Sequence, residues 1–166
     1  HMPLSAAVTH PDNSRALLGF LGEFYSETMT NEFLQQMGVS VNKSVTVVSG
    51  VENNAAHPKR AAGSSEALLD VQYMLGTAPN QKGATTEFWS LSHFGSLAYA
   101  IGMFVQAGMT ETRDLPKVMS ISYGTEESDF TEADVIVPGL GQKFLARLHY
   151  ETAKITFQGV TIVASS

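Results

Sequence analysis

Apolar positions along this chain fall into short blocks set apart by stretches rich in Gly, Pro and Asn. Residues 14–38 read as two helical pieces. Leu17, Leu18, Phe20, Leu21 and Phe24 keep helical spacing, and Phe33, Leu34 and Met37 repeat it after a break at residues 26–30. Residues 44–49 (Ser-Val-Thr-Val-Val-Ser) are β-branched and short, which predicts a strand. A loop rich in Asn, Ala, Pro and Gly follows over residues 51–63. Residues 64–78 read as a helix, with Ser64 or Ser65 as its N-cap. Beyond it come a strand at 84–91, an apolar helix at 95–109 and a strand at 117–123. Phe144, Leu145, Leu148 and Ile155 then mark a helix at 139–157, and a short apolar strand closes the series at 160–164.

This order alternates strand and helix. Alternation predicts an α/β fold: a parallel sheet with right-handed crossovers and helices on both faces. Ligands in such sheets sit beyond the carboxyl ends of the strands. Those ends fall near residues 49–51, 91–93, 123–125 and 165–166.

Composition narrows the chemistry. The 166 residues hold 43% hydrophobic and 16% charged side chains, the balance of a globular chain. Ten Lys and Arg against sixteen Asp and Glu leave a formal charge of −6, with no basic run, which argues against nucleic acid or an anionic membrane as partner. There are no cysteines, so disulfides, thiolate metal sites and thiol nucleophiles are excluded together. No apolar run reaches the roughly 18 residues of a membrane span. The longest, residues 97–109, is interrupted by Gly102, Gln106 and Gly108. His1-Met2 reads as a tag remnant, and residues 1–13 as leader. The Asn42-Lys43-Ser44 sequon permits a secretory route.

The segment Ser64-Ser65-Glu66-Ala67-Leu68-Leu69-Asp70-Val71-Gln72-Tyr73-Met74 is the most informative. Glu66 and Asp70 stand four apart, so they share one helix face. Their neighbours are mostly apolar, and no Lys or Arg occurs between Glu66 and Ala78. On a buried face, desolvation and mutual repulsion raise the proton affinity of at least one acid, and such a pair can serve as general base and orienting partner. The competing reading is an ordinary helix start, where Glu66 favours the positive end of the helix dipole. Other motifs are weak. Gly139-Leu140-Gly141 lacks a third glycine, and neither a P-loop, a His-Glu-x-x-His nor a Gly-x-Ser-x-Gly occurs. The histidines lack ligand spacing, and His57 beside Pro58-Lys59-Arg60 reads as loop. Glu126, Glu127, Asp129, Glu132 and Asp134 read as a solvated acidic loop without EF-hand spacing, so no metal is expected in this chain. Phe88 and Trp89 read as core or rim packing.

The Glu66-to-Met74 segment closely resembles the Glu…Asp helix of the sedolisin family, the serine-carboxyl peptidases. Leu115-Pro116-Lys117-Val118-Met119-Ser120-Ile121-Ser122-Tyr123-Gly124 resembles the family's substrate-edge strand, with Thr125-Glu126-Glu127 as an acidic continuation. Gly159-Val160-Thr161-Ile162-Val163-Ala164-Ser165 resembles the strand ahead of the family's Gly-Asp-Ser-Gly turn. The resemblance implies that residues 14–166 form the N-terminal portion of a subtilisin-like, acid-active endo- or tripeptidyl peptidase domain, secreted or lysosomal. Glu66 would then be the general base for a serine and Asp70 its hydrogen-bonded partner. Ser122, Tyr123 and Gly124 would line the strand on which peptide substrate pairs. A carboxylate suits that role in acid, where a histidine base is already protonated.

Some of the family's pattern is not found in these 166 residues. The Ser-Gly-Thr-Ser type nucleophile motif and the oxyanion aspartate of the Gly-Asp-Ser-Gly turn are absent from them, and the family's calcium site would also lie outside. The chain alone is therefore expected to be inactive and to need the remaining C-terminal peptidase segment as partner. The alternative is a non-catalytic binding module derived from such a peptidase. A weaker one is an α/β small-molecule enzyme using Glu66 and Asp70. A sheet ending on the apolar strand at 160–164 also predicts self-association through that edge.

Overall fold

The computed structural model describes residues 13–20, 23–39, 45–49, 64–77, 85–90, 115–124 and 140–165. Among the described residues, eight elements follow in order: β1 (Ser14–Gly19), α1 (Glu27–Gln36), β2 (Val45–Ser49), α2 (Ser65–Thr77), β3 (Thr85–Ser90), β4 (Val118–Ile121), α3 (Leu140–Phe157) and β5 (Thr161–Ala164). The five strands make one sheet in the order β2-β3-β1-β4-β5, parallel at every pairing. The leader, the sequon, the loop with His57, the helix expected at 95–109 and the acidic residues 126–134 lie outside the described residues.

One expectation is overturned. Residues 14–19 are not the start of a helix but β1, the middle strand of the sheet. Leu17 pairs with Phe88 on one side and Ser120 on the other. Neighbouring side chains of a strand point to opposite faces. Leu17 and Leu18 are nevertheless both only 1% exposed, because both faces of the sheet are covered. A strand buried on both faces reads as an unbroken apolar run, and such a run also satisfies helical spacing by chance. The break at residues 26–30 is the beginning of α1, where the Ser26 hydroxyl accepts a hydrogen bond from the Met29 amide as N-cap.

The core has two halves, one on each side of the sheet. Ala16, Leu18, Phe20, Trp89, Met119 and Ile121 face one way and pack on Ile155 of α3. Leu17 and Phe88 face the other way and pack on Leu34 of α1 and Ala67, Val71 and Leu75 of α2. Phe88 and Trp89 are thus core, on opposite faces, as their sequence setting suggests. The buried Glu87 is matched by the indole N–H of Trp89, which donates to its Oε2 at 2.8 Å.

Two glycines set the helix exits. Gly38 (φ 68°) follows α1 and Gly159 (φ 84°) follows α3. Both turns close in the same way. The glycine amide bonds the carbonyl three residues back, Gln35 or Thr156, and the next amide reaches back five, from Val39 to Leu34 and from Val160 to Ile155. The second turn places Val160 against Ile155 in the core and aims the chain directly into β5.

The position of β1 makes a test. Leu17→Ala and Leu18→Ala are each expected to cost about 2–5 kcal/mol of stability, because each deletes a fully buried side chain on a different face. Urea unfolding of the two variants measures this. A surface helix would tolerate one of the two changes.

Candidate functional site

The acid pair stands where the strand ends and the start of α2 meet. α2 lies over β1 and β3 through Ala67, Val71 and Leu75, which fixes one face of the helix inward. Glu66 and Asp70 fall on the flank of that face, both partly buried. The Ser122 hydroxyl, one residue beyond the end of β4, donates to Asp70 Oδ1 at 2.8 Å. Two sequence-predicted site residues 52 positions apart are thereby joined.

The bond expected between Asp70 and Glu66 does not form. Asp70 is taken by Ser122, and the Glu66 side chain makes no hydrogen bond among the described residues. The two acids interact through charge instead. Glu66 is held above its ordinary proton affinity by desolvation first, then by the negative charges of Asp70 and Glu23. Burial also raises Asp70, the Ser122 hydrogen bond works against that by favouring the carboxylate, and Glu23 adds to the rise. The sequence-based expectation of at least one raised acid therefore matches both members of the pair.

Tyr123 and Gly124 continue from Ser122. Tyr123 turns inward and meets Phe20 edge-on, with ring centroids 5.0 Å apart and planes at 76°. Burial, followed by the charge of Glu23, drives its hydroxyl well above the ordinary phenol range, so it stays protonated. Gly124 is exposed. A Cβ added there would meet the Ser165 carbonyl at 3.5 Å, an ordinary contact.

Glu23 was missed by sequence reasoning. It lies in the β1–α1 connection, and its Oε2 accepts from the Ala67 amide at 3.1 Å and from the Ser64 hydroxyl. Ser64 does precede α2, and its carbonyl accepts the Leu68 amide as an N-cap carbonyl should. Its hydroxyl, however, accepts from the Phe24 amide rather than capping its own helix. The only local signal for Glu23 was an acid placed shortly after an apolar run. Among the described residues no group of three or more His, Asp or Glu side chains is gathered as a metal site.

The parallel sheet is covered on both faces and carries the acid pair at its carboxyl-end rim, the layout of an α/β protein. Comparison with models of known protein families gives no match. Among individual proteins, the chain is 28% identical over 160 residues to tripeptidyl-peptidase 1 of Dictyostelium discoideum, covering 95% of this chain and 23% of that protein. It is 26% identical over 161 residues to the Macaca fascicularis enzyme of the same name and 23% over 159 residues to that of Homo sapiens. Among solved structures it resembles Pseudomonas sedolisin, a serine-carboxyl proteinase complexed with two molecules of pseudo-iodotyrostatin. That match has a TM-score of 0.58 and 22% identity, over 98% of this chain and 40% of the other. These matches are to serine-carboxyl peptidases of the sedolisin kind, and the structural match gives the chain their subtilisin-like α/β fold. It spans about a quarter of the length of the curated relatives it matches.

The raised acids fix a sign for pH dependence. An acid that is harder to ionise in the folded state opposes folding once ionised. Its stabilising contribution is complete below its unfolded value, 3.8 for Asp70, and is lost as pH rises through its higher folded value. Asp70→Asn keeps an acceptor for Ser122 and removes the charge. This variant is expected to be more stable than the parent at pH 7, with the advantage shrinking on acidification toward that value. Thermal unfolding across a pH series measures it, and an advantage that grows in acid would contradict the assignment.

Proposed function

We propose that this chain supplies the base side of an acid-active serine-carboxyl peptidase of the endo- or tripeptidyl type. Glu66 is the general base, taking the proton of a serine as that serine attacks the peptide carbonyl. Asp70 is its partner, whose negative charge makes the Glu66 carboxylate a stronger base for the serine's proton. Ser122, Tyr123 and Gly124 form the rim on which substrate backbone pairs in extended form. The nucleophilic serine and the oxyanion aspartate belong to sequence outside these 166 residues, and so does any calcium site of the family. The setting this chemistry suits is acidic: secreted or lysosomal. No helix among the described residues is long and apolar enough to cross a membrane.

The Asp70–Ser122 hydrogen bond carries the reading. It ties the acid helix to the strand end that the resemblance assigns to substrate, so both halves of the site are one piece. The test uses the product of the whole coding region with an internally quenched peptide and an unblocked tripeptide substrate. Cleavage is expected to be greatest in acid and to fall about 10²–10⁴-fold in Glu66→Gln, the usual contribution of a positioned base. The 166-residue chain by itself is expected to cleave neither. Cleavage by the short chain, or full activity in Glu66→Gln, overturns the reading.

The sheet edge bears on partners. Among the described residues β5 pairs only with β4, its sequence Thr-Ile-Val-Ala carries no charge, and Val163 is 53% exposed. Such an edge invites a further strand, here from the remaining peptidase segment. Without one, the isolated chain is expected to self-associate, with light-scattering mass rising across a concentration series and Val163→Lys suppressing the rise. A constant monomer mass contradicts this.

A further inference from the structure

We propose that Glu23 is a positioning residue for the Glu66–Asp70 pair, acting as the cap of α2 supplied from the β1–α1 connection. The first amides of a helix have no partner within the helix. A Ser or Asp one residue ahead of the helix ordinarily serves them. Here the Ala67 amide is taken by a carboxylate 44 residues earlier in the chain. The arrangement is reciprocal. Ser64 donates its hydroxyl to Glu23 and accepts the Phe24 amide at 2.9 Å, and the Ser64 amide donates to the Phe24 carbonyl, also at 2.9 Å. Glu23 is itself pinned to the strand ends. Its amide donates to the Phe20 carbonyl at 3.0 Å, and the Ser90 hydroxyl donates to its carbonyl at 3.3 Å. The start of α2 is thus tied to the ends of β1 and β3 through one side chain.

Two consequences follow for the acids. Glu66 is the residue just before Ala67, and Asp70 is one turn on, so the register fixed at Ala67 fixes both. The groups facing Glu23 are Glu66, Asp70 and the Tyr123 hydroxyl, and its charge favours the protonated form of all three. A carboxylate is the cap best matched to the positive end of a helix. The same charge repels the pair it positions. A serine in its place would cap without that repulsion.

The catalytic meaning of this proposal rests on the peptidase reading, whereas its structural test does not. Glu23→Gln and Glu23→Ala are compared with the parent in the 166-residue chain by amide hydrogen exchange and carboxyl ¹³C titration. In Glu23→Ala the Ala67 amide is expected to exchange about fivefold faster or more, with Leu75 at the far end of α2 unchanged. In Glu23→Gln, which retains an acceptor oxygen, Ala67 stays largely protected while the Glu66 and Asp70 midpoints both fall. Unchanged Ala67 exchange in Glu23→Ala, or unmoved midpoints in Glu23→Gln, overturns the proposal, and the Gln variant decides alone if the Ala variant does not fold. Where the whole-coding-region product cleaves peptide, Glu23→Gln is expected to move the acid limb of its pH profile lower and to reduce kcat rather than raise KM. A profile identical to the parent's refutes the catalytic role while leaving the exchange result to decide the cap.

Discussion

Everything in this fold hangs on β1 being hydrogen-bonded on both sides and buried on both faces. It pairs with β3 over six residues and with β4 over four. Its side chains feed both halves of the core, Ala16 and Leu18 toward α3 and Leu17 toward α1 and α2. The inner stretch of such a strand has no solvent side, so Ala16 to Gly19 are all apolar or small. Gly19 shows how tight the requirement is: a Cβ there would come within 2.4 Å of the buried Phe88 ring. The chain that leaves β1 then supplies Glu23, so the strand that organises the core also delivers a side chain to the site.

The site is a balance of opposing terms around a few carboxyl groups. Burial pushes Glu66 and Asp70 toward the protonated state, the charges of Asp70 and Glu23 add to this at Glu66 and that of Glu23 at Asp70, while the Ser122 hydroxyl favours the Asp70 carboxylate. The two acids differ in freedom as well. Asp70 is committed to Ser122, while the Glu66 carboxylate has no hydrogen-bond partner among the described residues. The proposed roles, an orienting acid and a working one, call for such an asymmetry. Tyr123 packs its ring against Phe20 and keeps its proton, which leaves it suited to shape the rim rather than to exchange protons.

Much of this was legible in the sequence, because the signals were local. β2, β3, β4 and β5 and helices α2 and α3 fall within a few residues of the patterned blocks that predict them. The helix-sharing of Glu66 and Asp70 follows from their spacing alone. What could not be read was non-local. β1 was mistaken for helix because full burial on two faces erases the alternation that marks a strand. Nothing local indicates that the Ser122 hydroxyl reaches 52 residues back to Asp70. Ser64 has the sequence of an N-cap, yet the capping oxygen comes from Glu23. No window of neighbouring residues contains that information.

The sheet order also has a temporal side. The central strand is the first of the five described strands along the chain, and the neighbours it needs come late. Arg15 contacts Thr86 across 71 residues, and Ser14 meets Lys117 across 103. At about 5–20 residues per second, a ribosome takes about 5–20 s to supply that second neighbour. During that interval the apolar stretch Ala16 to Phe20 has nothing native to pair with, and long-range parallel pairing is slow even afterwards. A nascent chain of this design therefore depends on being shielded early, and its vulnerability during synthesis is concentrated at its first strand.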